Sequence, residues 1–226
     1  MKKKVIAVLL VLVLVAGAVS AKEVGVKVGA ELGWGFDTVK STSTLKLKSS
    51  ESSTTKYKNN GFAGNLTAEY DFNEYFGVKA SFGLMFAGKG TAKVDSADKQ
   101  EIGTEKSGTY IDAALDAKYS VALSDSLSLS ALAGVEIVSG YIYKTSSSDA
   151  NEYLKNFAFG LNAGAELSYD IAKNIDLNVG CTVAWLFTNN AKLLEGKSLK
   201  VNNTELYGYK STSFFIRPYV GCTYAF

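Results

Sequence analysis

Residues 23–37 read EVGVKVGAELGWGFD, and their side chains change character at every second position. One row, from Val24 to Phe36, is entirely apolar, whereas the intervening row from Glu23 to Asp37 consists of glycine and charged residues. A period of two places the two rows on opposite faces of a β-strand. An unbroken apolar face opposite a face of glycine and charge is typical of a barrel wall in lipid.

The same alternation recurs in seven later stretches, and none of the eight apolar rows contains a charged residue. The later apolar rows run through residues 62–72, 76–86, 111–121, 127–141, 157–169, 175–187 and 214–226. The sequence therefore predicts an all-β fold, an eight-stranded antiparallel up-and-down transmembrane β-barrel.

The predicted connections between these strands alternate between tight and long. Those around residues 73–75, 123–126 and 171–174 are tight, and those around 38–60, 89–108, 144–155 and 189–211 are long and rich in Ser, Thr, Lys and Asn. Outer-membrane barrels have short periplasmic turns and longer extracellular loops. We therefore expect loops at the cell surface and both ends of the barrel domain on the periplasmic side.

A period of two does not distinguish a membrane barrel with an apolar exterior from a soluble, lipocalin-like barrel with an apolar interior. Volume favours the membrane barrel, because an eight-stranded lumen has room only for ordinary side chains or one small ligand. Eight rows rich in Phe, Tyr and Trp would overfill it. Aromatic residues also cluster at both ends of the apolar rows, as expected at two water–lipid interfaces.

The first 21 residues have the layout of a secretory signal peptide, with three lysines, an apolar run and small residues before a cleavage site after Ala21. The alternative is a membrane-anchoring helix, but the eleven apolar residues from Val5 to Val15 fall short of the roughly 20 that a spanning helix needs. Cleavage leaves a barrel domain over residues 22–226. It also removes three positive charges, so the formal net charge of +2 does not indicate a nucleic-acid partner.

Two cysteines, Cys181 and Cys222, both fall on predicted apolar rows. This placement predicts two small hydrophobic side chains. The alternative is a disulfide between neighbouring strands, which stays open because it depends on the register of their pairing.

The last ten residues read RPYVGCTYAF, with alternating apolar residues that end on Phe226. Together with the architecture of residues 22–226, this ending resembles the small eight-stranded outer-membrane barrels of the OmpA-domain, OmpX and opacity-protein kind. The resemblance implies contact with outer-membrane lipid in a bacterium with two membranes, and recognition of Tyr224 and Phe226 by the barrel-assembly machinery. The alternative is that Phe226 only completes an aromatic belt. Pro218 departs from the pattern, because it removes a backbone donor from a strand without a free edge, and we expect a local irregularity there.

Among the charged residues on the inward rows are Lys27, Glu31, Glu69, Lys79, Asp112, Asp116, Lys118, Glu136, Glu166 and Arg217. Charges in a narrow, poorly hydrated lumen are costly unless they are paired. The sequence therefore predicts an ion-pair network that plugs the lumen, with Arg217 as its central partner for carboxylates. The alternative is an ion path through an open pore, which would prefer cations because acids outnumber bases in this set.

Catalytic residues are hard to find in this chain, because it contains no histidine. The enzymatic outer-membrane barrels depend on a histidine base, and no other nucleophile–base pair is recognisable here. Without histidine and with both cysteines on apolar rows, a transition-metal site is not expected either. The sequence predicts a protein that is not an enzyme and that has no metal or other cofactor.

The first long connection is basic, with lysines at Lys40, Lys46, Lys48, Lys56 and Lys58. An exposed basic rim attracts anionic glycans, lipid head groups or host surfaces, although lysines also simply keep a loop solvated. The leading functional hypothesis is a structural, adhesion or surface-antigen role, in which a plugged barrel displays its loops. The second is a narrow channel for small solutes or hydrophobic molecules, as in OmpW-like barrels, and an enzyme comes third.

Overall fold

The structure is a computed structural model that describes residues 25–45, 52–87, 91–94, 109–147, 150–188, 192–194, 200–201, 204–205 and 207–226. The predicted signal peptide, residues 1–21, lies outside the described residues. Among the described residues, no helix has the length and apolar character needed to cross a membrane.

Eight long β-strands form the body of the described molecule. They are β1 (Val26–Leu45), β2 (Ser52–Asp71), β3 (Phe76–Ala87), β5 (Thr109–Ser124), β6 (Leu127–Ser147), β7 (Ala150–Ala172), β8 (Ile175–Thr188) and β12 (Tyr207–Ala225). Four short strands lie between them in the chain, namely β4 (Thr91–Val94), β9 (Lys192–Leu194), β10 (Lys200–Val201) and β11 (Thr204–Glu205). Consecutive long strands pair antiparallel, and β1 pairs with both β2 and β12, so the sheet closes. The predicted eight-stranded antiparallel barrel is confirmed.

The apolar rows face outward, and the polar rows face the lumen. Phe82, Leu115 and Leu161 are 41%, 56% and 63% exposed. On the opposite face, Glu31 and Arg217 are only 4% and 7% exposed. A lipocalin-like barrel would have the reverse arrangement, so that alternative is excluded.

Two of the predicted long loops are largely strand, which corrects the prediction for residues 38–60 and 144–155. The β1–β2 hairpin stays paired as far as Thr44, and the β6–β7 hairpin stays paired as far as Ser147. The apolar row ends well before these positions, because the hairpins extend beyond the lipid-facing part of the wall. Threonine and tyrosine are enriched in β-strands, and the antiparallel pairing continues through them.

The tight turns lie at one end of the barrel, at residues 72–75, 125–126 and 173–174. In the first of them, the Asn73 side-chain oxygen accepts hydrogen bonds from the backbone N–H groups of Tyr75 and Phe76, each at 2.9 Å. This arrangement is an Asx turn. We call this end of the barrel the turn end and the opposite end the loop end.

Pro218 interrupts one ladder of the closing strand, as expected. The pairing of β12 with β1 stops at Tyr219 and resumes at Ile216 in the same register. Proline has no N–H for the ladder, so the irregularity is limited to the skipped residues and does not shift the strands.

Cys181 and Cys222 are free and exposed on the outward face. The β8–β12 register places Cys181 opposite Pro218 and Cys222 opposite Leu177. The two cysteines are therefore offset by four residues along the strands, or roughly 13 Å. Since a disulfide needs Cα atoms within about 7 Å, a bridge between them within this barrel is excluded.

Candidate functional site

Inward side chains divide the lumen into two parts of different chemistry. The ionic half lies toward the turn end and consists of Lys27, Glu31, Glu69, Asp71, Lys79, Asp112, Asp116, Lys118, Glu136, Glu166, Asp176 and Arg217. The apolar half lies toward the loop end and consists of Val39, Ala63, Met85, Tyr110, Val138, Ala158, Ala184, Leu186 and Phe215.

At the mouth of the turn end, two lysines each bridge two carboxylates. Lys27 Nζ lies 2.8 Å from Asp176 and 3.9 Å from Asp71. Lys118 Nζ lies 2.5 Å from Glu69 and 3.2 Å from Asp71. These residues line a cavity of about 160 Å³, and the side chains of Lys27 and Asp71 are 25% and 23% exposed. Solvent therefore reaches this level of the network.

Lys79 is the hub of the next level and is almost fully buried. Its Nζ lies 2.7 Å from Glu31, 3.5 Å from Glu69 and 2.5 Å from Glu166. Tyr219 donates its hydroxyl proton to Glu166 at 2.8 Å and places its ring centroid 5.4 Å from Lys79 Nζ. A buried ammonium group is tolerated only when it is paired and hydrogen-bonded in this way.

Arg217 closes the level above Lys79. Its Nη1 lies 2.8 Å from Asp112 Oδ2, and its Nη2 pairs with Glu136. In the ring of eight long strands, β12 and β5 occupy opposite positions, so the pair between Arg217 and Asp112 spans the whole width of the lumen. Each of the two terminal guanidinium nitrogens binds one carboxylate, which uses the fixed fork geometry of arginine.

Buried carboxylates outnumber buried cations in the described lumen. Eight Asp and Glu residues are buried, against Lys79, Lys118 and Arg217. Asp116 has no described cation within salt-bridge distance and lines a cavity of about 20 Å³, which is large enough for one water molecule. The lumen therefore carries excess acid, which favours cations over anions as visiting ions.

All eight long strands contribute a side chain to the apolar half. The rings of Tyr110 on β5 and Phe215 on β12 meet edge to face from opposite sides, with centroids 6.1 Å apart. One acid, Asp37, is buried here and accepts a hydrogen bond from the Tyr110 hydroxyl at 3.3 Å, while Asn59 donates to that hydroxyl at 3.3 Å. The lumen is thus closed a second time, directly above Arg217.

The structure places all ten of the predicted lumen residues in the ionic half. Nine of them are buried, and Lys27 is half-buried at the mouth. Sequence reasoning missed the contributions of Asp71, Asp176 and Tyr219, and it missed the apolar half altogether. A signal for the apolar half exists in the doublet Phe214–Phe215, where the alternation breaks because both faces are apolar.

The other predicted site residues that the structure describes lie on the outer surface. Tyr224 and Phe226 are exposed at the turn end, with ring centroids 5.2 Å apart in an edge-to-face contact. Lys40, Lys56 and Lys58 are exposed on β1 and β2 toward the loop end, whereas Lys46 and Lys48 lie outside the described residues. Among the residues that the structure describes, no group of three or more Cys, Asp or Glu side chains is arranged to hold a metal ion.

Residues 6–207 match the family model described as outer membrane protein beta-barrel domain. Among solved structures, the fold is similar to the outer membrane protein OprG from Pseudomonas aeruginosa, at 13% identity over 91% of this chain and 98% of that chain, with a TM-score of 0.57. It is also similar to the outer membrane protease OmpT from Escherichia coli, at 11% identity over 93% and 100% of the two chains, with a TM-score of 0.52. A major outer membrane protein from Thermus thermophilus matches at 14% identity over 85% and 99%, with a TM-score of 0.50. Identities this low show a shared fold only, and no curated protein sequence gives a match.

Proposed function

This chain belongs to the outer membrane protein beta-barrel domain family, and we propose that it is a sealed scaffold that displays its loops at the cell surface. The family places the protein in the outer membrane of a bacterium with two membranes. The proposed role is structural, adhesive or antigenic, and it needs neither a catalytic group nor a cofactor. Export by a signal peptide over residues 1–21 and recognition of Tyr224 and Phe226 by the barrel-assembly machinery are part of the proposal.

The double closure of the lumen is the observation that carries this proposal. The ion pair of Arg217 with Asp112 crosses the full width of the barrel, and the contact of Tyr110 with Phe215 crosses it again one level higher. A hydrated ion cannot pass either level without displacing paired or packed side chains. The loops, in contrast, are carried by hairpins that extend beyond the lipid-facing wall.

The rival function is a narrow channel for small solutes or hydrophobic molecules, and one observation favours it. The outer half of the lumen is lined by apolar side chains rather than by the polar residues that a purely ionic plug would have. These side chains fill the space that an apolar solute would occupy, with Met85, Tyr110 and Leu186 almost completely buried. Transport would therefore require the apolar half to open.

Conductance of the refolded protein in a planar bilayer separates the sealed scaffold from the channel. The wild type is expected to give no discrete openings, and a steady stepwise conductance would contradict the proposal. The double variant Arg217→Ala/Phe215→Ala removes both closures and is expected to give cation-selective openings. The matched control is Arg217→Ala/Phe214→Ala, because Phe214 faces outward and its removal leaves the contact of Tyr110 with Phe215 in place.

Surface display has its own test in whole cells. Cells that lack the protein are expected to adhere less to host matrix than cells that carry it, and antibodies against the loop-end hairpins are expected to label intact cells. Equal adhesion together with unlabelled cells would remove the display role. Anionic glycans are the proposed soluble partners of the basic loops.

A further inference from the structure

A small cavity in the ionic half is lined by side-chain oxygens that lack a hydrogen-bond donor. Its volume is about 20 Å³, and Asp116, Asn162 and Asn65 are among the residues that line it. The Oδ1 atoms of these three side chains are buried, and none of them has a hydrogen-bond partner among the described residues. Asp116 and Asn162 are only 4% and 7% exposed. Buried acceptors without a donor indicate a bound water or ion.

The strand register brings two of these side chains to the same level. Asp116 on β5 lies opposite Gly134 on β6, and Gly134 lies opposite Asn162 on β7. Gly134 has no side chain, and a Cβ atom placed there would collide with Asp116 Oδ1. The carboxylate of Asp116 therefore lies over the glycine, on the side where Asn162 is found.

The two buried cations beside Asp116 are already paired with other carboxylates. Lys79 lies directly opposite Asp116 in the β3–β5 register, but its Nζ contacts three glutamates instead. Arg217 pairs with Asp112 and Glu136. Within the described part of the chain, the Asp116 carboxylate therefore has no cation as a partner.

The charges around the cavity leave room for one more positive charge. The lining residues include three acids, which are Glu31, Asp116 and Glu136, and two bases, which are Lys79 and Arg217. A water molecule would fill the volume, but it would leave one negative charge uncompensated, which is costly in a poorly hydrated interior. A divalent ion would exceed the charge required and would lie next to an ammonium and a guanidinium group. A single monovalent ion matches both the volume and the charge.

We propose that this cavity binds one sodium ion through the side-chain oxygens of Asp116, Asn162 and Asn65. One carboxylate and two amide carbonyl groups supply the kind of oxygen ligands that replace the hydration shell of an alkali-metal ion. The ion is a structural part of the ionic half, and it departs from the prediction from the sequence that the protein has no metal. A bound ion is compatible with a sealed lumen and with a conducting one, so failure of this inference would leave the conductance test unaffected.

The test measures how the folding equilibrium of the refolded full-length barrel depends on sodium. Urea unfolding in vesicles is followed at constant ionic strength while sodium chloride replaces tetramethylammonium chloride, whose cation is larger than the cavity. A ligand that binds only the folded state raises the folding equilibrium constant as its site fills. For a site half-filled at about 10 mM sodium, the constant is expected to rise about 10-fold between about 1 and 100 mM sodium.

Two matched variants separate a specific site from a general effect of charge. Asp116→Asn keeps the shape of the side chain and is expected to abolish the sodium dependence. Asp37→Asn also removes a buried carboxyl group, but from the apolar half, and it is expected to keep the 10-fold rise. If Asp37→Asn abolished the rise as well, sodium would respond to the total charge of the lumen, and the proposal would be wrong. A wild type that is equally stable in both salts would show a water-filled cavity or a protonated Asp116, and it would also overturn the proposal.

A direct readout covers the case in which Asp116→Asn does not refold. Thallium(I) substitutes for alkali-metal ions at oxygen sites, and its anomalous X-ray scattering reveals where it binds. Wild-type crystals soaked in thallium(I) acetate are expected to show one anomalous peak between Asp116 and Asn162, and excess sodium in the soak is expected to weaken that peak. The absence of a peak at this position, or a peak that sodium does not weaken, would contradict the proposal.

Discussion

In the ionic half of the lumen, long charged side chains reach across the barrel to partners on other strands. In the apolar half, each long strand contributes a side chain to one packed cluster. Arg217 illustrates the first arrangement, because its two partners lie on strands across the barrel. Phe215, which precedes Arg217 by two residues on the same strand, illustrates the second, because it packs against Tyr110 and its neighbours. Both arrangements close the lumen, yet they differ in what happens when one member is removed. An ion pair that loses one partner leaves a buried charge behind, whereas a packed cluster leaves only a cavity.

Solvent access favours the charges at the mouth of the turn end. The lowest ion pairs border a cavity of about 160 Å³, and Lys27 and Asp71 remain partly exposed there. Desolvation, the main cost of burying ions, is smaller where water remains in contact with them. Asp37 is the exception, since it is an acid buried among apolar side chains. The comparison between the halves is therefore sharpest at four residues, which are Arg217, Asp37, Asp112 and Lys27.

The largest expected effect comes from Arg217→Met, which breaks the ionic half at its centre. Asp112 and Glu136 would stay buried without a cation, so we expect the free energy of unfolding to fall by about 3–5 kcal/mol. Urea unfolding of the refolded barrel in vesicles, followed by tryptophan fluorescence, measures this loss.

A triple variant, Arg217→Met/Asp112→Asn/Glu136→Gln, serves as the control for this prediction. It removes the stranded charges as well, and it is expected to recover most of the lost stability, as buried ion pairs replaced as a unit often do. If Arg217→Met lowered the free energy of unfolding by less than about 1 kcal/mol, Arg217 would contribute no more than a residue in a surface ion pair. That result would remove the distinction between the two halves.

The sequence predicts more of the ionic half of the lumen than of the apolar half. The inward position of Glu31 and Arg217 follows from a period of two, and so does the outward position of Leu161, because alternation assigns a face without knowledge of the fold. The partner of each ion does not follow, since the contact of Lys79 with Glu166 depends on which strands face each other across the closed barrel. The apolar half is hidden because residues such as Val138 lie in a row otherwise judged polar.

The same substitution, Asp to Asn, is expected to change the free energy of unfolding in opposite directions in the two halves. Asp112→Asn removes a charged partner from Arg217 and is expected to lower the free energy of unfolding by about 1.5–3 kcal/mol. Asp37→Asn removes a buried carboxyl group that has no described cation within 4 Å, and it is expected to raise the free energy of unfolding by about 1 kcal/mol. The two variants are matched in size and chemistry, and the same urea experiment compares them. Losses of equal size at both positions would mean that Asp37 is as well compensated as Asp112.

The smallest expected effect is at the mouth of the ionic half, where Lys27→Gln removes the bridge between Asp71 and Asp176. Because these side chains are partly hydrated, we expect the free energy of unfolding to fall by only about 0.5–1 kcal/mol at low salt. At 1 M salt, where charges are screened over about 3 Å, the loss should largely disappear, whereas the loss caused by Arg217→Met should persist. Lys173→Gln, an exposed lysine on a turn at the same end, should have no effect at either salt concentration. If the loss of unfolding free energy caused by Lys27→Gln did not depend on salt, the mouth would be as poorly hydrated as the surroundings of Arg217. Hydration at the turn end would then not explain why charged residues lie there.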